Sequence, residues 1–195
     1  MGTLTFGLNV TLDGCTDHRV GIADEETHAH FTALMDACDA MLWGRATYEL
    51  MEGYWPAVAR GDVDATPAER DWAAKLQAKP KYVVSTTRTE YSWPGTHHLI
   101  GDPARSVAAL KDRTPGGVLL GSGRLAAALD AAGLIDEYRF LVQPILAGAG
   151  PTLYAGALAD PLRLQLVSAR ALRCGAIDAH YRRGHGTAGE PAGRS

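Results

Sequence analysis

The sequence predicts an α/β protein: a three-layer α/β/α sandwich on a central, mostly parallel sheet, closed by a C-terminal antiparallel hairpin. Three observations predict it. Short apolar runs bounded by turn residues, such as Ala40-Met41-Leu42-Trp43 and Val118-Leu119-Leu120, alternate along the chain with segments of helical period. Both of these runs end in a glycine turn that carries an arginine, Gly44-Arg45 and Gly121-Ser122-Gly123-Arg124, as a buried strand does where it turns into a helix. After Pro161 the helical pattern stops, and residues 162–172 and 176–182 read as two strands joined through Cys174-Gly175.

The elements follow in order. Leu4 to Leu12 mixes β-branched and apolar residues and stops at Asp13-Gly14, a first strand ending in a turn. Phe31, Leu34, Met35 and Cys38 lie at i, i+3, i+4 and i+7, one face of a helix whose first turn carries Asp24-Glu25-Glu26. A short strand runs into Gly44, and Thr47 onward is helical until Gly53. Residues 56–66 are expected to form a flexible loop. They end in Thr66-Pro67-Ala68-Glu69, an N-cap with proline at the first helical position and an acid at N3. A helix to about Ala78, strands at 81–85 and 97–100, and a helix from Pro103 to Asp112 come next. They are followed by a strand at 117–120, a helix from Arg124 to Ala132 closed by Gly133, and a strand at 137–143. There is no internal repeat. One domain over residues 1–183 is expected, with the Gly-, Ala- and Pro-rich residues 184–195 as a disordered tail.

The 195 residues are 46% hydrophobic, enough to bury one core. With 19 Lys+Arg against 22 Asp+Glu, the net charge of −3 exerts no general pull on nucleic acid or anionic membrane, so any phosphate must be held locally. Three cysteines without a CxxC pair argue against a disulfide framework. The first residues lack the basic flank and apolar run of a signal peptide, and no later stretch reads as a membrane span; a cytoplasmic location is expected. His28 and His30 are two apart on a helix, His97-His98 alternate across a strand, and none has cysteine at ligand spacing, so no metal site is expected. A Gly-x-Ser-x-Gly elbow and a P-loop lysine are both missing, which makes the hydrolase and kinase readings poor.

The chemistry concentrates in the two glycine turns. Free N–H groups and the positive end of a helix dipole favour an anion at such corners, and two of them suit a doubly phosphorylated ligand such as a dinucleotide. Residues 121–126 formally satisfy G-x-G-x-x-A between strand and helix. The following strand ends Leu141-Val142-Gln143-Pro144, however, without the acid that would hold a ribose, and a simple tight turn remains an alternative.

Leu12-Asp13-Gly14, Gly44-Arg45-Ala46-Thr47-Tyr48-Glu49, the run from Tyr82 to Thr87, Leu120-Gly121-Ser122-Gly123-Arg124 and the run from Pro144 to Pro151 occur in that order. This ordered set resembles the dihydrofolate reductase-like superfamily. It is most similar to the bacterial branch that includes the C-terminal reductase domain of the riboflavin deaminase-reductase, from about Thr3 to Arg182. The resemblance implies an NADPH-dependent reductase with its cofactor across the carboxyl ends of the central strands. By position, Gly44, Arg45 and Thr47 would meet the 2′-phosphate and pyrophosphate, and Ser85 and Thr86 the adenosine 2′-phosphate side. Gly121, Ser122, Gly123, Arg124 and Leu125 would wrap the pyrophosphate and approach the nicotinamide. Guanidinium and hydroxyl donors and close-approaching glycines suit that task. For Arg45 the competing reading is an ion pair with Glu49 one turn on, and for Ser85 and Thr86 it is strand-end capping.

The substrate end departs from the family. Its usual acid before the second glycine turn is Leu120 here, which puts a ribosylamino-pyrimidine in doubt. Where folate-reducing members carry a helix carboxylate, an ungapped count gives His28, a weak acid near neutral pH or simply an exposed histidine. Asn9, Thr11 and Asp13 resemble the loop beside the nicotinamide, although Asp13 is equally the turn former before Gly14. Tyr48, Met51 and Trp55 suggest an apolar wall for a flat ring, with core packing as the competing account. The expected activity is hydride transfer from NADPH to a C=N or C=O bond of a small planar heterocycle, pterin- or pyrimidine-like. The expected assembly is a homodimer through residues 139–142 and the terminal hairpin. The alternatives are a flavin- or deazaflavin-dependent reductase and a non-catalytic, nucleotide-sequestering protein.

Overall fold

In the computed structural model, residues 1–154, 158 and 160–184 are described. Their elements are β1 (Leu4–Thr11), α1 (Glu25–Asp36), β2 (Ala40–Gly44), α2 (Arg45–Glu52), α3 (Trp55–Arg60), α4 (Pro67–Ala78), β3 (Lys81–Val84) and β4 (Thr96–Leu99), then α5 (Pro103–Arg113), β5 (Val118–Leu120), α6 (Gly123–Ala131), β6 (Glu137–Gln143), β7 (Leu164–Ala171) and β8 (Ile177–Arg183). The strands form one sheet in the order β4-β3-β2-β5-β1-β6-β8-β7. From β4 to β6 every neighbour is parallel, and β8 runs antiparallel to both β6 and β7. This is the mostly parallel sheet with a C-terminal antiparallel hairpin that the alternation of periods predicts.

Strands β2 and β5 are apolar throughout because both faces are covered. In β2, Ala40 and Leu42 pack with Val107, Leu110, Leu125 and Leu129 of α5 and α6 on one face. Met41 and Trp43 pack with Leu34, Met35, Trp72 and Leu76 of α1 and α4 on the other. The period of two in the strand thus sorts one short run between two cores. At about 25 cal/mol per Å² of apolar surface, residues such as Leu42 and Trp43, almost wholly removed from water, each stabilise the sandwich by about 2–3 kcal/mol.

The expected flexible loop at 56–66 is corrected. Its first half is α3, closed by Gly61 in the left-handed region at φ 78°. Trp55-Pro56 reads as a breaker in sequence, yet proline in a first helical turn lacks only an N–H that the helix does not use. Burial of Val58 and the packing of Trp55 on Trp72, with ring centroids 6.0 Å apart, hold the segment down. Only residues 61–66 connect, and Thr66 with Glu69 forms the capping box that starts α4. The tail expected at 184–195 lies, beyond Gly184, outside the described residues. Among the described residues, no helix is long and apolar enough to cross a membrane.

Candidate functional site

Strands β5 and β1 are parallel neighbours whose chains leave in opposite directions. From β1 the chain passes to β2 on one side, and from β5 it passes through α6 to β6 on the other. Such a switch point is where α/β sheets commonly form a ligand crevice, outside the carboxyl ends of the strands, and both glycine turns lie at those ends. Ser122 joins them: its Oγ accepts the Gly44 N–H at 2.9 Å and donates to Thr47 Oγ1 at 2.7 Å. The Gly121 N–H donates to Leu42 O at 3.1 Å. A Cβ on Gly121 would lie 3.0 Å from Trp43 Nε1 and 3.2 Å from its Cδ1, so the indole of β2 requires glycine in the neighbouring corner.

The helix starts differ by location. Asp24 caps α1 by accepting the Thr27 N–H, Thr66 caps α4, and Asp102 caps α5 by accepting the Arg105 N–H. At α2 and α6 no side chain caps the first turn. Short α3 also lacks a cap, but Pro56 in its first turn has no N–H to satisfy. Two helix dipoles therefore present uncapped donors to one crevice, joined by a serine and a threonine hydroxyl.

The structure brings Gly44, Thr47, Gly121, Ser122 and Gly123 together and disperses the remaining cofactor candidates around them. Arg45 is half exposed and forms the ion pair with Glu49, Nη1 to Oε2 at 3.0 Å. Arg124 is exposed at the start of α6, and no described carboxylate lies within 4 Å of it. The Leu125 side chain belongs to the α5/α6 core, which leaves the crevice only its backbone. Ser85 Oγ accepts the N–H groups of Thr87 and Arg88 at 3.2 and 2.9 Å, shaping the loop after β3, where Thr86 is exposed.

On the β1 side, a polar chain fixes the loop. Asn9 Oδ1 accepts from Gln143 Nε2 at 2.9 Å, and Gln143 Oε1 accepts the Ile22 N–H at 3.3 Å. Thr11 accepts the Cys15 N–H and donates to Asp13. The Asp13 carboxylate also accepts the N–H groups of Ala147 and Gly148 at 3.1 and 2.7 Å. These donors, the Thr11 hydroxyl first, hold Asp13 at a pKa of about 2. It is an ionised tie between two loops, with no proton to give at neutral pH.

The aromatic candidates separate. Tyr48 is fully buried among Trp43, Tyr91 and Trp93, and its hydroxyl donates to Glu52 at 2.8 Å; it supports the wall from behind. Met51 and Trp55 remain partly exposed. His28 faces Trp55 edge-on at 6.5 Å. Its Nδ1 lies 3.0 Å from the Asp24 carbonyl, which only accepts, so Nδ1 donates in this contact. Sequence reasoning missed Arg88 and Gln143. A cation three residues before Tyr91, and a polar residue ending an apolar strand, were the available signals.

Fold and corners define an α/β protein with two uncapped helix starts, joined by hydroxyls, at the switch point of its sheet. The chain belongs to the family of RibD C-terminal domains, whose model matches residues 3–177. It is 26% identical over 183 residues to the uncharacterized protein YyaP of Bacillus subtilis, covering 91% of this chain and 93% of that one. Among solved structures it is similar to a putative riboflavin biosynthesis protein from Shewanella sp. PV-4, with TM-score 0.71, 22% identity and coverage of 95% and 100%. It is also similar to the diaminohydroxyphosphoribosylaminopyrimidine deaminase/5-amino-6-(5-phosphoribosylamino)uracil reductase of Thermotoga maritima. There the TM-score is 0.65 at 17% identity, covering 94% of this chain and 57% of that one.

Proposed function

We propose that this protein is an NADPH-dependent reductase that delivers hydride to a C=N or C=O bond of a small planar heterocycle, pterin- or pyrimidine-like. Membership in the RibD C-terminal family supports the reductase class and a pyrimidine-like substrate in general terms. The observation that carries the cofactor is the pair of uncapped helix starts linked through Ser122 and Thr47. These residues fit a dinucleotide: backbone donors of the first turns of α2 and α6 for the pyrophosphate, with Arg124 beside them and Arg45, Ser85 and Thr86 toward the phosphorylated ribose. When bound, the cofactor supplies the hydride; the protein supplies orientation.

On the substrate side, the Asn9 amide N–H₂ has no hydrogen-bond partner among the described residues beside the fixed β1 loop, and Met51 and Trp55 offer an apolar wall with His28 at its edge. Thr11 and Tyr48 position this wall and loop rather than face the ring. His28 Nε2 is the proton-relay candidate in this reading, since Asp13 is committed and Leu120 is buried in the core. A homodimer through residues 139–142 and the terminal hairpin belongs to the same proposal: β7 is the edge strand, with Leu166 and Val167 exposed.

Fluorescence titration with NADPH and NADH, followed by NADPH oxidation across pterins, pyrimidines and quinones, tests the reading. Arg45→Ala should cost about 1.5–3 kcal/mol of NADPH binding, tenfold or more in affinity, and much less with NADH. Tight binding without turnover across the panel would make the protein a sequestering one, and a yellow chromophore in the purified protein would favour the flavin alternative.

A further inference from the structure

Two guanidinium groups converge on one carboxylate at the β2–β3 end of the crevice. Arg45, the first residue of α2, places Nη1 3.0 and 3.2 Å from the Glu49 carboxylate oxygens. Arg88, from the loop after β3, places Nη1 3.8 Å from Glu49 Oε1, beyond hydrogen-bond distance. The two arginines are held very differently. The Arg88 guanidinium lies against two rings, 4.8 Å from the Tyr48 centroid and 5.2 Å from that of Tyr91. Its Nε donates to Glu90 O at 2.9 Å and its Nη2 to Glu52 Oε2 at 2.7 Å. Its backbone is fixed as well, N–H to Ser85 Oγ and carbonyl to the Tyr91 hydroxyl. Every edge of Arg88 is engaged except Nη1, which points at Glu49. Among the described residues, the Arg45 side chain is bound to Glu49 alone, and Glu49 to Arg45 and, loosely, to Arg88; the Arg45 side chain is 49% exposed and that of Glu49 39%.

We infer that Glu49 is a built-in carboxylate competitor: it occupies the guanidiniums of Arg45 and the tightly held Arg88 until a phosphomonoester displaces it from that clamp. The inference rests on the dinucleotide reading and deepens it, since the ligand becomes one with a phosphomonoester on its adenosine ribose. An exposed i,i+4 ion pair is weak and gives way readily, whereas a phosphate dianion takes forked, charge-assisted bonds from both guanidiniums. Glu49 thus sets the selectivity between phosphorylated and unphosphorylated dinucleotide: it taxes only the ligand that needs its place. Ser85, whose hydroxyl is spent on the loop, acts here by holding Arg88 rather than by touching the phosphate.

The test is a titration of wild type, Glu49→Gln and Arg88→Gln with NADPH and with NADH at two ionic strengths. Glu49→Gln is expected to tighten NADPH about five- to tenfold, more at low salt, and to leave NADH within about twofold. Arg88→Gln is expected to weaken NADPH about tenfold or more and spare NADH, with its thermal melt reporting whether the Tyr48–Tyr91 packing survives. If Arg88→Gln does not fold, the Glu49 variant still decides. Equal shifts for the two dinucleotides in Glu49→Gln, or weaker NADPH binding, overturn the clamp while leaving the dinucleotide reading in place. A wild-type protein that binds neither dinucleotide takes down both.

Discussion

Helices α1, α4 and α5 begin at the surface and are closed by their own residues, Asp24, Thr66 and Asp102. Helices α2 and α6 begin at the switch point and are left open. The contrast is sharpest at α6, because its N-cap residue is Ser122, one of the best capping types available. Its hydroxyl reaches sideways to Gly44 and Thr47 of the neighbouring corner instead of down into its own helix. A cap is worth about 1 kcal/mol to a helix. The chain forgoes that locally and ties two corners into one donor surface, a break with local rules of the kind found at functional sites. Capping therefore separates helices closed by their own residues from the two that, in the proposed reading, face a ligand.

The harshest way to break this comparison is Gly121→Val. The added Cβ would meet the Trp43 indole at 3.0 Å, and that ring has no room to retreat, being stacked on Trp93 with centroids 6.1 Å apart. Overpacking of this kind costs about 1–3 kcal/mol and would push the β2 and β5 corners apart. Dinucleotide binding should become undetectable, with a lower melting temperature by calorimetry. A variant that melts lower yet binds NADPH normally would show that the corners do not grip it together.

A matched pair of hydroxyl deletions sharpens the contrast. Thr66→Ala removes a cap in α4 and should cost about 1 kcal/mol of stability in urea unfolding, with NADPH affinity unchanged. Ser122→Ala strands the Gly44 N–H and the Thr47 hydroxyl. It should cost a similar 1–2 kcal/mol or so of stability and also weaken NADPH several-fold. Equal effects of the two substitutions on binding would erase the distinction between structural and ligand-facing helix starts.

The same division explains what was legible in the amino-acid sequence. Ala40–Trp43 and Val118–Leu120 are read easily because strands buried on both faces are continuous apolar runs. Asp24 reads only as negative charge in a first turn and proves to be the cap, whereas Thr66 is readable because a cap acts three residues away, within the span of a local pattern. Gly44 and Gly121 announce themselves for the same reason. Ser122 does not reveal its role, since its partners lie 75 and 78 residues away. Arg88 is hidden likewise: the rings and carboxylate that lock it come from α2 and the approach to β4. Tyr48 had equal claims to core and wall, and only the packing of Trp93 and Tyr91 over it seals it from the crevice. Tertiary contacts, not composition, decide such positions.

The smallest expected effect is also a test of principle. The Thr27 N–H holds Asp24 below its ordinary carboxylate value of 3.8, so the ionised cap stabilises α1 more than the protonated one does. The folded state resists the proton more than the unfolded chain does. The contribution is therefore complete above pH 3.8 and fades as the pH falls through the lowered folded value. No carboxylate caps α2 or α6, so their first turns carry no such dependence. Asp24→Asn keeps a capping side chain without the titration. Below pH 4 its unfolding free energy should decline less steeply than that of wild type, by a fraction of about 1 kcal/mol given the exposure of the site. Identical acid limbs for the two proteins would mean that the Asp24 charge, unlike its hydrogen bond, contributes nothing to the start of α1.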